Sequence, residues 1–128
     1  MMAADVASGA LGIELLESGP GQAACRMRLT DQMINGHGVA HGGYVFLLAD
    51  TAFACACNSH GPAAVASGGE ITFVSPGRAG DVLVAVATER TRYGRNGIYD
   101  VTVRREAGGD VVAEFRGRSR MIVTDQSL

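Results

Sequence analysis

Between Asn35 and Gly61 the chain runs NGHGVAHGGYVFLLADTAFACACNSHG, a glycine-rich loop that opens a strongly apolar stretch carrying one acid, Asp50. From Gly43 to about Ser59 there is no alternation and no polar face. The stretch is rich in Ala and Leu and stops at Gly61-Pro62, as a helix does. A helix apolar on all sides has to be enclosed by the rest of the fold. Its carboxylate is then expensive, because no Lys or Arg lies between Arg28 and Arg78 to neutralise it from nearby in the sequence. Either the tertiary fold satisfies Asp50, or the position exists to hold a perturbed carboxylate.

The enclosing material reads as strands. Leu11 to Glu17 is the first, Ser18-Gly19-Pro20-Gly21 a turn, and Gln22 to Thr30 the second, with Arg26 and Arg28 opposite Cys25, Met27 and Leu29. This predicts a hairpin with one wet face. Beyond the helix come Ala64 to Ser75, ended by Pro76-Gly77, then Asp81 to Thr91, Gly97 to Glu106, and Val111 to about Thr124. In the last, Glu114, Arg116, Arg118 and Arg120 alternate with Ala113, Phe115, Gly117 and Ser119, the pattern of a half-buried antiparallel strand. Ala107-Gly108-Gly109-Asp110 joins neighbours in a hairpin. Residues 1–10 are small and non-periodic, a loose arm or a short helical turn.

One central helix and five to six strands make an α+β domain spanning residues 1–128, with no internal repeat or linker. The expected architecture is the hotdog fold, a curved antiparallel sheet wrapped around one apolar helix. Such a wrap is small, and its edge strands and outer face leave groups to cover, so self-association is expected.

Composition narrows the chemistry. A formal net charge of −2 and a pI near 5.8 give no reason to expect nucleic acid or an anionic membrane as partner. All eleven basic residues are arginines; without lysine there is neither a P-loop nor a Schiff base. Three cysteines, Cys25, Cys55 and Cys57, two of them on the apolar helix, suit reduced thiols rather than a disulfide framework. No positive leader precedes the first apolar residues and no segment reaches the length of a membrane span, so a cytoplasmic protein is expected.

The loop and helix together supply a constellation. Gly42 and Gly43 stand at the helix N-terminus, where unpaired N–H groups and the helix dipole favour negative charge and the missing side chains admit a ligand. Such a terminus can act as an oxyanion hole. Asn35 offers an amide for a carbonyl oxygen or a water. Asp50 lies two turns along, too far to cap its own helix, but two copies packed antiparallel would face the acid of one with the helix end of the other. Taken singly, each residue also has a plain structural reading: a buried acid bonded to hydroxyls or amides, and glycines serving a turn or close packing. The combination carries the argument.

Other constellations are weaker. His37 and His41, followed by Cys55, Cys57 and His60, do not amount to a metal site, because the histidines lie in a glycine loop and the cysteines point to different helix faces. Gly36-His37-Gly38 lacks the spacing and context of a dinucleotide fingerprint, and no G-x-S-x-G marks a serine nucleophile.

Asn35, Gly36, His37, His41, Gly42, Gly43, Asp50, Ala52 and Asn58, with AAVASGGEITFVSPGRAGD and GIYDV…FRGRS further on, closely resemble the hotdog-fold acyl-CoA thioesterases of the phenylacetic acid degradation type, the PaaI-like enzymes. The resemblance runs from Leu11 to Met121. It implies a homotetramer built as a dimer of dimers, active sites at subunit interfaces, and hydrolysis of aromatic acyl-CoA thioesters such as phenylacetyl-CoA or hydroxyphenylacetyl-CoA. Coenzyme A belongs to the substrate, and no separate cofactor is implied.

Carried onto this chain, the resemblance has the Gly42 N–H polarise the thioester carbonyl and Asp50 of the facing subunit act as general base or nucleophile. Asn35 orients the carbonyl or water, Gly43 lines the same helix end, His41 shapes the loop, and Thr51 is a secondary contact. Arg95 and the GRAGD loop either touch the coenzyme or are plain surface. Two other functions stay open: a hotdog hydratase or dehydratase, which needs a histidine beside its acid, and a non-catalytic acyl-CoA-binding protein, which would not need Asp50.

Overall fold

A computed structural model describes residues 2–122 of the chain. After a 3₁₀ turn at Met2–Ala4, the helix α1 (Val6–Ala10) leads into strands β1 (Glu14–Gly19) and β2 (Gln22–Arg28). A second 3₁₀ turn at Asp31–Met33 opens the glycine loop, and the helix α2 (Gly42–Cys57) follows. Strands β3 (Ala64–Phe73), β4 (Val82–Tyr93), β5 (Asn96–Arg105) and β6 (Val111–Met121) complete the chain. The expected run of the last strand to Thr124 passes outside the described residues.

All six strands join one antiparallel sheet in the order β1-β2-β4-β5-β6-β3, and α2 packs against every one of them. This is the hotdog arrangement, helix inside and sheet outside. Period-two burial places Cys25 and Met27 of β2, Leu83, Ala85 and Ala87 of β4, Tyr99, Val101 and Val103 of β5, and Ala113 and Phe115 of β6 on the inner face. From the helix Leu48, Ala49, Ala52, Phe53 and Ala56 meet them. The Phe53 ring tilts against Tyr99 and Phe115, with centroids 5.6 and 5.8 Å away. Burying a side chain of that size contributes roughly 1.5–3 kcal/mol, so this aromatic group pins the helix to the centre of the sheet.

Three local expectations are revised. The N-terminal ten residues hold the short helical turn that was one of their two expected forms, α1, but the first strand begins three residues later than Leu11. The reason is a Schellman ending to α1: Gly12 takes a left-handed φ of 71°, its N–H reaches the Gly9 carbonyl, and the Ile13 N–H reaches that of Ser8 at 3.0 Å. The first hairpin does not have one wet face throughout. β2 does, but β1 is a sheet edge broken by a bulge between Leu15 and Glu17, and Leu15 and Leu16 both stay exposed. Finally, α2 is not enclosed by its own chain: Phe46 remains 37% exposed, and Leu47, Asp50 and Ala54 are partly open along the same stripe. The sheet covers the other side of the helix, so this stripe is only partly covered by the described residues.

Candidate active site

The glycine loop is shaped by Asn35. Its backbone N–H bonds the Val39 carbonyl at 2.8 Å, and its side-chain Oδ1 accepts from the N–H groups of His37 at 2.9 Å and Val39 at 3.3 Å. Because both neighbours are donors, the amide orientation is determined. Its NH₂ group has no acceptor among the described residues, which leaves a donor free.

His41 caps α2. Its Nδ1 accepts the Gly43 N–H at 3.2 Å and its carbonyl takes the Tyr44 N–H at 3.0 Å, so the ring proton sits on Nε2. Gly43, expected to line the site, therefore has its N–H committed. The Gly42 N–H has no acceptor among the described residues and stands at the positive end of a 16-residue helix. The ring of Phe73 closes over it: a Cβ on residue 42 would stand 2.7 Å from its Cζ, so the ring keeps this place only beside glycine.

Asn35 and Gly42 line one cleft of about 360 Å³, whose other walls include Val39, Val45, Phe73, Val74 and Val112. The cleft walls are mostly apolar, and Asn35 and Gly42, each with a free donor, are among them. Such a combination suits an acyl group whose carbonyl needs a hydrogen-bond donor.

Asp50 does not line that cleft. Eight residues beyond Gly42, it lies about 12 Å along the helix, on the uncovered stripe between Leu47 and Ala54. It makes no hydrogen bond or ion pair among the described residues. Partial burial, and after it the negative charge of Asp5, push its carboxyl above the ordinary aspartate value. Within one chain, then, the donors are together and the acid is apart.

Thr51 turns away from the open face. It is buried, its hydroxyl within 2.9 Å of both the Leu47 carbonyl and Ser8 Oγ. Arg95 lies in the exposed β4–β5 turn near the C-terminal end of α2, beside Cys57, His60 and Tyr99, remote from Asn35 and Gly42 in the same chain. The remaining candidates scatter. His37 is exposed in the loop, His60 Nε2 sits 2.7 Å from Glu89 Oε1, and all three cysteines are free and buried. Among the described residues no three His, Cys, Asp or Glu side chains gather as a metal site, and no helix is long and apolar enough to cross a membrane.

Residues 37–112, more than half of the chain, match the family model described as the thioesterase superfamily. The chain is 48% identical to the acyl-coenzyme A thioesterase PaaI of Escherichia coli strain K12 over 92% of its own length and 84% of that protein. It belongs to the PaaI-like acyl-CoA thioesterases. The solved structure of the E. coli PaaI protein from the phenylacetic acid degradation operon superposes with a TM-score of 0.93 at 46% identity, covering 96% of this chain and 88% of that one. A structure of a variant of the phenylacetic acid degradation protein PaaI from Thermus thermophilus gives 0.85 at 36% identity, over 90% and 97% of the two chains. The PaaI-like fold thus accounts for the wrap of sheet on helix seen here.

Sequence reasoning missed two residues that pack against these candidates. Phe73, at the end of β3, carries no local signal beyond the Pro76-Gly77 stop; only the sheet order brings it over Gly42. Ser8 gave no signal in a stretch of small residues, and its contact with Thr51 spans 43 positions.

Proposed function

We propose that this thioesterase hydrolyses aromatic acyl-CoA thioesters, phenylacetyl-CoA or hydroxyphenylacetyl-CoA among them, releasing the free acid and coenzyme A. The observation that carries the reading is the pair of unengaged donors, Gly42 N–H and the Asn35 amide, set in a cleft walled by Val45, Phe73 and Val112. The acyl ring packs against Phe73 while its carbonyl oxygen accepts from Gly42 and gains negative charge as the tetrahedral centre forms. Asn35 holds the carbonyl or the incoming water. Asp50 of a facing copy either removes a proton from that water as it attacks the carbonyl carbon, or attacks the carbon itself to give a mixed anhydride that water then hydrolyses, freeing the acid and restoring the carboxylate; in both routes the carbon–sulfur bond breaks and the departing coenzyme A thiolate takes up the proton that water gives up. The environment of Asp50 supports both roles, since a carboxylate raised by burial is a stronger base than a solvated one. His41 serves by capping α2 and so orienting Gly42.

The active form is a homotetramer, a dimer of dimers. The uncovered stripe of Phe46, Leu47 and Ala54 and the open edge of β3, exposed along nearly its whole length, favour this. Arg95, an exposed cation at the opposite end of α2 from the cleft, is suited to the coenzyme phosphates when helices of two copies run antiparallel. Thr51 acts next to Asp50 without facing the cleft. The three buried free cysteines support a reducing, cytoplasmic setting.

Thiol release from a panel of phenylacetyl-, hydroxyphenylacetyl-, benzoyl- and medium-chain acyl-CoAs tests the proposal. The aryl thioesters should be turned over fastest. Hydrolysis restricted to aliphatic chains would refute the aromatic assignment, and no thiol release from any of them would refute the activity itself.

A further inference from the structure

The side of α2 that follows Asp50 is roofed by the chain's own first residues. There α1 lays Ser8, with no exposed surface, against Thr51. Three polar contacts meet at these two hydroxyls: Ser8 Oγ to Asp5 Oδ2 at 2.7 Å, Thr51 Oγ1 to the Leu47 carbonyl at 2.9 Å, and Ser8 to Thr51 at 2.9 Å. Two hydroxyls carry only two protons. A bond to a carboxylate is the stronger use of one, so Ser8 donates to Asp5, which also accepts the Ser8 backbone N–H at 3.0 Å. The single Thr51 proton is then shared between the Leu47 carbonyl and Ser8 Oγ, since neither the carbonyl nor the committed Ser8 hydroxyl can donate back. The run of contacts from Thr51 through Ser8 to Asp5 ties the N-terminal helix to the residue next to Asp50.

We propose that Ser8 and Asp5 are positioning residues for Asp50. Acting through Thr51, they hold α1 against α2, which fixes the helical turn that presents the acid and places the Asp5 charge beside it. The inference rests on the reading of Asp50 as the group that attacks or activates water. Neither Asp5 nor Ser8 touches the cleft of Asn35 and Gly42, so their role is one of placement.

The charged surroundings of Asp50 support this. On the N-terminal segment Asp5 is the charge that raises the Asp50 carboxyl, second only to burial. On α2 itself, burial and then, more weakly, Asp50 push the Cys57 thiol up to about 11, so that it stays neutral; His41 and Tyr44 are at the first turn. On β1, Glu14 and Glu17 are exposed, and Glu14 pairs with Arg26 3.4 Å away. The Asp5 carboxyl itself is held below its ordinary value by the Ser8 backbone N–H and then the Ser8 hydroxyl, so it stays negative while Asp50 titrates.

Full-length Ser8→Ala, Ser8→Thr and Asp5→Asn proteins test it, each followed by thermal melting, kcat, KM and the pH profile of kcat, with the Asp50 carboxyl titrated by carbon-13 NMR. Ser8→Ala should lower kcat about ten- to a hundredfold through misplacement, leaving KM nearly unchanged, and Ser8→Thr should restore most of it. Asp5→Asn keeps an acceptor for Ser8 but removes the charge, so the Asp50 titration and the acid limb of kcat should both move to lower pH. Wild-type kcat in Ser8→Ala together with an unmoved Asp50 titration in Asp5→Asn would overturn the proposal, whatever happens to the melting temperature. Should the wild type release no thiol, the hydrolase reading fails, and the NMR titration still decides this one. If Ser8→Ala does not fold, the Asp5→Asn titration decides alone.

Discussion

The Phe73 ring lies so close over Gly42 that a Cβ on residue 42 would fall 2.7 Å from Cζ, 3.2 Å from Cε2 and 3.3 Å from Cε1. The ring thereby walls the cleft directly beside the free Gly42 N–H. Phe73 is 53% exposed, so it can swing away from an intruding methyl group, but only by abandoning that wall.

Gly42→Ala should therefore fold with little loss, near the low end of the roughly 1–3 kcal/mol typical of overpacking. Its activity should suffer more. We expect kcat/KM on aryl-CoA to fall about ten- to a hundredfold, a loss of one to two powers of ten in transition-state stabilisation. Steady-state kinetics beside a thermal melt separates the two effects; equal kinetics with a lowered melting temperature would make Gly42 a packing residue only.

Asn35 has two halves with different duties, and one substitution separates them. Asn35→Asp keeps an oxygen for the His37 and Val39 N–H groups, so the loop and melting temperature should hold. It loses the NH₂ donor, and turnover should drop about ten- to a thousandfold, as when one oriented donor is removed from an oxyanion site. Unchanged turnover in thiol-release assays would confine Asn35 to the loop.

Assembly should depend on the open stripe of α2. Phe46 packs edge-on against Phe115 with centroids 5.3 Å apart yet remains partly exposed, so Phe46→Glu should place a charge in the interface and split the oligomer, with activity lost in parallel. Light scattering on wild type and variant checks this. A monodisperse, active wild-type monomer would contradict a shared site.

Glu89 ties the far end of α2 to the sheet through His60 at 2.7 Å and the Tyr99 hydroxyl at 3.0 Å. Partial burial acts to raise its carboxyl, but the bonds from His60 and Tyr99 outweigh that and hold it below the ordinary glutamate value. A lowered folded-state value stabilises above the unfolded value, about 4.3, and the gain disappears as pH falls through the folded one. Glu89→Gln should thus melt lower than wild type at pH 7, with the gap closing in acid below about pH 4. A gap independent of pH would show that the charge of Glu89 contributes nothing.

Legibility in the sequence followed locality. The helix α2 was readable because its start, apolar run and stop are contiguous, and β6 because Arg116, Arg118 and Arg120 alternate with small or apolar residues. The placement of β3 at the edge beyond β6 was not readable, since pairing between residues 64–73 and 113–121 leaves no local mark. Leu11 to Ile13 looked like strand but end α1, because the left-handed Gly12 and the carbonyls of Ser8 and Gly9 compete for the same residues. At the site, Asn35, Gly42 and Asp50 stood out as polar or glycine positions in an apolar context. Phe73 and Ser8 did not, because an aromatic in a strand and a serine in a small-residue stretch have many ordinary explanations.

The proposed hydrolysis turns on the Asp50 carboxylate. Asp50→Asn preserves size and leaves the Gly42 and Asn35 donors in place, so the protein should keep its oligomeric state and bind coenzyme A. In wild type, activity should fall on the acid side at a pH above the free aspartate value of about 3.9, because burial and Asp5 raise this carboxyl. The decisive measurement is kcat for thiol release from phenylacetyl-CoA by purified Asp50→Asn. A loss of about a thousandfold or more in an intact oligomer is the expected result; near-wild-type turnover would show the carboxylate to be structural and contradict the account.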